Sequence, residues 1–319
     1  MKPKYRHALP QLGGDLFLTD GGIETTLIYQ EGLDLPYFAA FDLIRHASGR
    51  AALDRYFRSH AAVANDCRVG FILESATWRA STDWALKLGY TTEALRAANR
   101  EALHLLHELR GELENPSTRM VVSGCIGPRG DGYRAEARMQ PGEAAGYHAL
   151  QAGTFAEAGA DLVTATTMTY AEEAIGIVRA AGSVGLPVVV SFTTETDGRL
   201  PSGQALGAAI EQVDRETNAA PAYYMVNCAH PAHFSERLIP GAAWVGRLRG
   251  LRANASTRSH AELDACTELD SGDPAELAAR YATLREQFPQ MNVLGGCCGT
   301  DHRHIRAIGE RCVRASSRG

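Results

Sequence analysis

A chain of 319 residues that is 45% hydrophobic, 22% charged and 7% aromatic has the make-up of a folded protein, which excludes disordered and collagenous classes. Its 32 Lys and Arg against 37 Asp and Glu give a formal net charge of −5. With no basic run, that balance argues against nucleic acid or an anionic membrane surface as the main partner.

The first residues, MKPKYRHALPQLGG, carry two lysines but no apolar segment behind them, so no secretory signal is expected. No later window approaches the roughly 18 consecutive apolar residues of a membrane span. Short apolar or β-branched runs then recur at even intervals, at 16–22 (LFLTDGG), 71–77 (FILESAT), 120–128 (MVVSGCIGP) and 162–168 (LVTATTM). Four more follow at 186–193, 223–230, 248–256 and 293–300. Between them lie helical patterns rich in Ala, Leu, Glu and Arg, as at 91–113, 142–158 and 274–288. Asp273 followed by Pro274 has the form of a cap and a first helical residue. Strands alternating with helices predict parallel pairing through right-handed crossovers.

Eight such units in one chain predict an α/β fold, a (β/α)8 barrel forming a single domain over residues 1–319. An open doubly wound sheet would usually carry a glycine-rich phosphate loop after its first strand. Residues 20–25, DGGIET, are not G-x-G-x-x-G. The stretches 68–91 and 191–206 read as elaborated loops above the barrel mouth. Seven cysteines, an odd number without an export signal, read as reduced thiols in a cytoplasmic protein.

In such a barrel the C-terminal ends of the strands face the active site. Those ends are Asp20, Glu74 to Trp78, Cys125 with Gly127, Thr166 with Thr167, Thr193 with Glu195, Asn227 with Cys228, Asn254 with Ser256, and Cys297 with Cys298. Cys228, Cys297 and Cys298 therefore converge, and three thiolates on one rim suit a Zn2+ ion with an open fourth position. Gly295, Gly296 and Gly299 would let the backbone turn tightly enough for two consecutive ligands. Two other readings compete. The cysteines could be small core hydrophobes, the reading given to Cys67, Cys125, Cys266 and Cys312, or Cys297 and Cys298 could form a vicinal disulfide. A zinc-bound substrate thiol is deprotonated and becomes a nucleophile toward carbon, which points to alkyl transfer rather than hydrolysis.

The runs DGGIETTL (20–27), SGCIGPRGDGY (123–133), SFTTETDGRLPSGQAL (191–206), VNCAHP (226–231) and GGCCGTDHRHIRAI (295–308) resemble the homocysteine S-methyltransferase family, in order and over nearly the whole chain. The resemblance implies a (β/α)8 barrel holding one Zn2+ by Cys228, Cys297 and Cys298. It implies a small-molecule thiol acceptor, homocysteine, and a small-molecule methyl donor such as S-methylmethionine, S-adenosylmethionine or betaine. No nucleic acid or membrane partner is expected, and oligomeric state stays open. Asp20 matches the aspartate of the family's opening motif and would orient the bound amino acid. The family's usual glutamate at the end of the fourth strand, which binds the amino group, is Thr166 here. On the second strand the usual aromatic is Trp78 and the usual asparagine is Ala76.

Asp20, Trp78 and Thr166 are thus the candidate catalytic positions. Asp20, Glu24, Glu74, Trp78, Thr166 and Asn227 are the candidate substrate contacts. Glu24 or Glu74 could replace the missing glutamate, or could pair with a nearby arginine such as Arg79; the alternatives are the same chemistry on a different thiol acceptor, or a zinc- and thiol-binding barrel without turnover. Trp78, Phe192 and Tyr170 could wall an onium donor through cation–π contact, or could pack the barrel top. Asn227 could orient the ligand beside it or form a turn. His302 and His304 read as the start of the last helix, and residues 254–260 as part of the mouth.

Overall fold

In this computed structural model, described for residues 1–316, eight parallel strands close into a barrel in chain order. They are β1 (Phe17–Leu18), β2 (Gly70–Glu74), β3 (Met120–Ile126), β4 (Leu162–Met168), β5 (Val188–Phe192), β6 (Tyr223–Asn227), β7 (Leu248–Ala253) and β8 (Val293–Gly296). Closure comes from β1, which pairs with β2 on one side and with β8 on the other. Each predicted run overlaps a strand, and helices occupy Thr92–Leu113, Pro141–Glu157 and Pro274–Gln287 close to where the patterns place them. The Asp273 side chain accepts from the Ala275 amide, with Pro274 in the first turn, as its sequence implies.

Alternation along the strands divides the core into two layers. Phe17, Ile72, Val121, Leu162, Val189, Tyr223 and Val293 fill the barrel's lower interior together with Leu9 of the N-terminal segment. Their neighbours, such as Leu18, Phe71, Val122, Val163, Val190 and Leu294, pack outward among the helices. Farther up β2, β3 and β4 the inward positions become polar. Glu74 lies in register with Ser123, whose Oγ sits 2.9 Å from Thr164 Oγ1. Apolar packing therefore ends partway up the interior, and the space above it is a polar-floored cavity.

Several predicted strands run past the observed ends, for a local reason. Cys228, which follows β6, has φ 52°, a left-handed conformation that stops the ladder. Thr167 in β4 has φ 62°, and pairing with β5 shifts register between Ala165 and Met168. Among the described residues no helix is long and apolar enough to cross a membrane.

Candidate active site

A cavity of about 240 Å3 opens at the C-terminal ends of the strands, and every residue singled out as a candidate catalytic, substrate or metal position lines it. They arrive from several elements around the ring. Asp20 follows β1, Glu24 starts the helix Ile23–Tyr29, Glu74 ends β2, and Trp78 lies in the loop beyond. Thr166 comes from β4, Asn227 from the end of β6, and the cysteines from the turns after β6 and β8.

The sulfur atoms of Cys228, Cys297 and Cys298 lie within 4.8 Å of one another. Cys228 and Cys297 are joined as a disulfide, with Cα atoms 5.4 Å apart, and Cys298 Sγ stands 4.0 Å from Cys228 Sγ. The pair brought together is Cys228–Cys297 and not the vicinal Cys297–Cys298 pair. Two consecutive residues whose peptide unit must twist to bridge make a poorer disulfide than two residues on facing turns. Once the bond is reduced, three soft sulfur donors converge on one point, a set that fits Zn2+.

Backbone constraints hold the cluster together. A Cβ at Gly295 would run into Thr19, and one at Gly296 into Thr300, so only glycine lets β8 lie this close to its neighbours. Gly299, at φ +81°, turns the chain after the two cysteines. The left-handed turn at Cys228 is held by its carbonyl, which accepts from Asn254 Nδ2 at 3.1 Å and lies 2.7 Å from His260 Nε2. His260 in turn stacks on Tyr133, ring centroids 4.0 Å apart, and the Tyr133 hydroxyl reaches to 3.6 Å from Cys298 Sγ. Burial pushes the Cys298 thiol up to about 11, so with no cation nearby it stays protonated at neutral pH.

Asn227 does not contact the cysteines directly. Its Oδ1 accepts from the Thr167 amide at 2.9 Å and from Ser191 Oγ at 2.6 Å, while its Nδ2 donates to Thr167 Oγ1 at 2.8 Å. It thereby pins β4 and β5 to the strand that carries Cys228. Thr166 Oγ1 sits 2.9 Å from Cys125 Sγ, a neutral pair near the end of the fourth strand.

The acidic residues divide into paired and unpaired. Arg252 of β7, absent from the residues singled out in the sequence, is buried between two of them. Its Nη2 donates to Asp20 Oδ1 at 2.7 Å, its Nη1 to Glu74 Oε2, and its Nε to the Gly296 carbonyl at 3.1 Å. Asp20 Oδ2 also accepts from the Tyr56 hydroxyl at 3.0 Å. Burial pushes both carboxyls upward while the guanidinium pulls them down. Burial also works against the Arg252 cation, but Asp20 and Glu74 outweigh it and raise its pKa. The arginine that neutralises Glu74 is therefore Arg252 and not Arg79, and neither Asp20 nor Glu74 is a free acid.

Glu24 is different. It is half-buried, no ion pair or side-chain hydrogen bond ties it down among the described residues, and the loss of solvent around it lifts its pKa to about 7.

The expected aromatic wall is also partly redrawn. Trp78 lines the cavity, yet the Arg79 guanidinium covers its ring at 3.9 Å. Phe192 is fully buried in the outer layer against Tyr224, and the Tyr170 hydroxyl accepts from the Met139 amide, so both are packing residues. His302 begins the final helix as expected, while His304 bonds the Ser271 carbonyl at 2.8 Å. Tyr133, His260 and Arg252 were the positions missed. Tyr133 was visible inside the 123–133 run and His260 at the end of 254–260, but neither showed its partner.

Solved structures share this architecture. The oxidized form of the homocysteine methyltransferase MmuM from Escherichia coli matches with a TM-score of 0.75 and 18% identity, over 97% of this chain and 99% of that one. Its metallated form matches with a TM-score of 0.68 and 19% identity, over 93% of this chain and 96% of that one. These likenesses speak for the fold. The description of the homocysteine S-methyltransferase family matches residues 17–312. With a closed barrel and a three-cysteine rim inside that span, the chain belongs to the homocysteine S-methyltransferase family and is a methyltransferase.

Proposed function

We propose that this chain moves a methyl group from an onium donor to a thiol held by zinc at Cys228, Cys297 and Cys298, with L-homocysteine as acceptor and methionine as product. The observation that carries the reading is the convergence of three sulfur donors in the same cavity as an unpaired carboxylate, Glu24. Zn2+ bound there would lower the pKa of an incoming thiol and keep its sulfur nucleophilic at neutral pH. The residues of the chain do the rest. Glu24 takes the acceptor's ammonium group in place of the glutamate that Thr166 has replaced. The Asp20–Arg252–Glu74 triad and Asn227 hold the strand ends that carry the cavity lining in fixed relative positions. Tyr133 and Trp78 close the space around the reacting sulfur and exclude water.

The transfer is an in-line displacement. A sulfur–carbon bond forms as the donor's carbon–heteroatom bond breaks. The donor leaves as a neutral sulfide or amine, and the acceptor's thiol proton passes to solvent. No leaving group needs protonation, so alignment and thiolate formation supply most of the catalysis.

The test offers reduced, zinc-loaded protein homocysteine with each onium donor in turn and detects methionine by mass spectrometry. Wild type should produce methionine with one donor, while Cys298→Ala should lose most of its bound zinc and all detectable turnover. Zinc retained at full stoichiometry by Cys298→Ala would remove that cysteine from the ligand set. Zinc-loaded wild type that methylates only a different amino-acid thiol would retain the transfer chemistry and replace the acceptor.

A further inference from the structure

Arg79 is a buried cation without a counter-ion. It is 6% exposed and lines the same cavity as the three cysteines. Its Nη1 donates to the Gly130 carbonyl at 2.8 Å, its Nε has no hydrogen-bond partner, and no carboxylate comes within ion-pair distance among the described residues. Both neighbouring rings are committed to it, Trp78 at 3.9 Å and Trp84 at 4.0 Å from the guanidinium carbon. Trp84 is itself anchored by its indole Nε1, which donates to the Arg129 carbonyl at 2.9 Å. The two rings hold the guanidinium in place, and its Nε remains a donor without a partner.

A buried guanidinium with an unmade hydrogen bond is costly, and packing alone does not require it. Arg252, equally buried, is satisfied by two carboxylates, so this fold can neutralise an arginine where one is structural. Burial lowers Arg79, and Asp131 and Glu24 act on it through space without pairing. The cavity thus holds two unpaired opposite charges, Glu24 and Arg79, that sense each other across a gap.

We propose that Arg79 is a specificity residue that receives the carboxylate of an amino-acid substrate while Glu24 receives the ammonium group, so that the two read a zwitterion. The assignment rests on the methyl-transfer reading for the site. Acceptor and donor can each carry a carboxylate. A planar guanidinium edge suits either, because it can donate two parallel hydrogen bonds to one carboxylate.

The experiment follows tryptophan fluorescence of the reduced, zinc-loaded chain, since Trp78 and Trp84 flank Arg79. One series compares homocysteine with 3-aminopropane-1-thiol, which lacks only the carboxylate. The other compares S-methylmethionine with its carboxyl-free sulfonium analogue. The carboxylate should strengthen binding about 10- to 100-fold in one series, as expected for charge-assisted hydrogen bonds in a buried site. The series that responds names the substrate Arg79 holds. Arg79→Gln should shrink the margin to near unity, and Arg79→Lys should keep part of it. Absence of carboxylate-dependent binding in both series of wild type overturns the assignment, whether or not the variants fold. Carboxylate-dependent binding without methylated product would instead keep Arg79's role and remove the transfer reading.

Discussion

Glu24 shows how a single side chain converts environment into pH dependence. Its carboxyl sits near 7 because burial penalises the charge, whereas in the unfolded chain it titrates near 4.5. Between those values the folded state binds the proton more tightly than the unfolded state. Its contribution to stability is therefore largest below about pH 4.5 and is lost as pH rises through about 7. Function runs the other way, because only the carboxylate can pair with an ammonium group. We expect kcat/KM to fall as pH drops through about 7, and Glu24→Gln to weaken the acceptor and flatten that limb while raising neutral-pH stability. Urea unfolding at pH 5 and pH 8, beside a pH–rate profile, reads both; an acidic limb that persists in Glu24→Gln assigns it elsewhere. At this scale the three cysteines could be read from sequence because their chemistry is local and their glycine context unusual. Arg252 could not, since its partners lie 232 residues away at Asp20 and 178 away at Glu74. A charge looks solvated in sequence until the barrel closes around it.

The elements were legible in kind and less so in extent. Strand starts follow β-branched and apolar runs, but strand ends are set by single backbone events, such as the left-handed Cys228 after β6, that composition does not announce. β7 illustrates what an element gains from its neighbours. Through Arg252 it ties together the upper ends of β1 and β2 across the barrel interior, where no backbone hydrogen bond joins them to it. Removing the cation strands two buried carboxylates. Arg252→Met should cost about 3–5 kcal/mol in chemical denaturation, the usual penalty for breaking a buried pair from one side. The same change made with Asp20→Asn and Glu74→Gln should cost far less, because no buried charge then lacks a partner. Equal losses in the two backgrounds would show that Arg252 acts by packing alone.

Closure of the whole barrel is what makes the cysteine cluster, for β6 and β8 are separated by β7, and Cys228 and Cys297 by 69 residues of chain. Eight repeats of strand and helix made that closure readable. The oxidation state of the cluster was not readable, because a sulfur–sulfur bond depends on how two turns face each other and not on how far apart they lie in sequence. The two states of Cys228 and Cys297 compete for the same sulfur atoms, since a disulfide leaves only Cys298 to offer a thiolate. A metal that binds only the folded, reduced cluster stabilises it by mass action, by about 2.7 kcal/mol at a hundredfold excess over Kd. Spread over the unfolding entropy of a chain this size, that is a Tm rise of a few degrees. We therefore expect Zn2+ to raise the Tm of the reduced protein, a chelator to reverse the rise, and the oxidised protein to show none. An equal shift in the oxidised form would place the responsible metal site elsewhere. A shift confined to the reduced form would link the stability of the entire barrel to the same three sulfur atoms that define its chemistry.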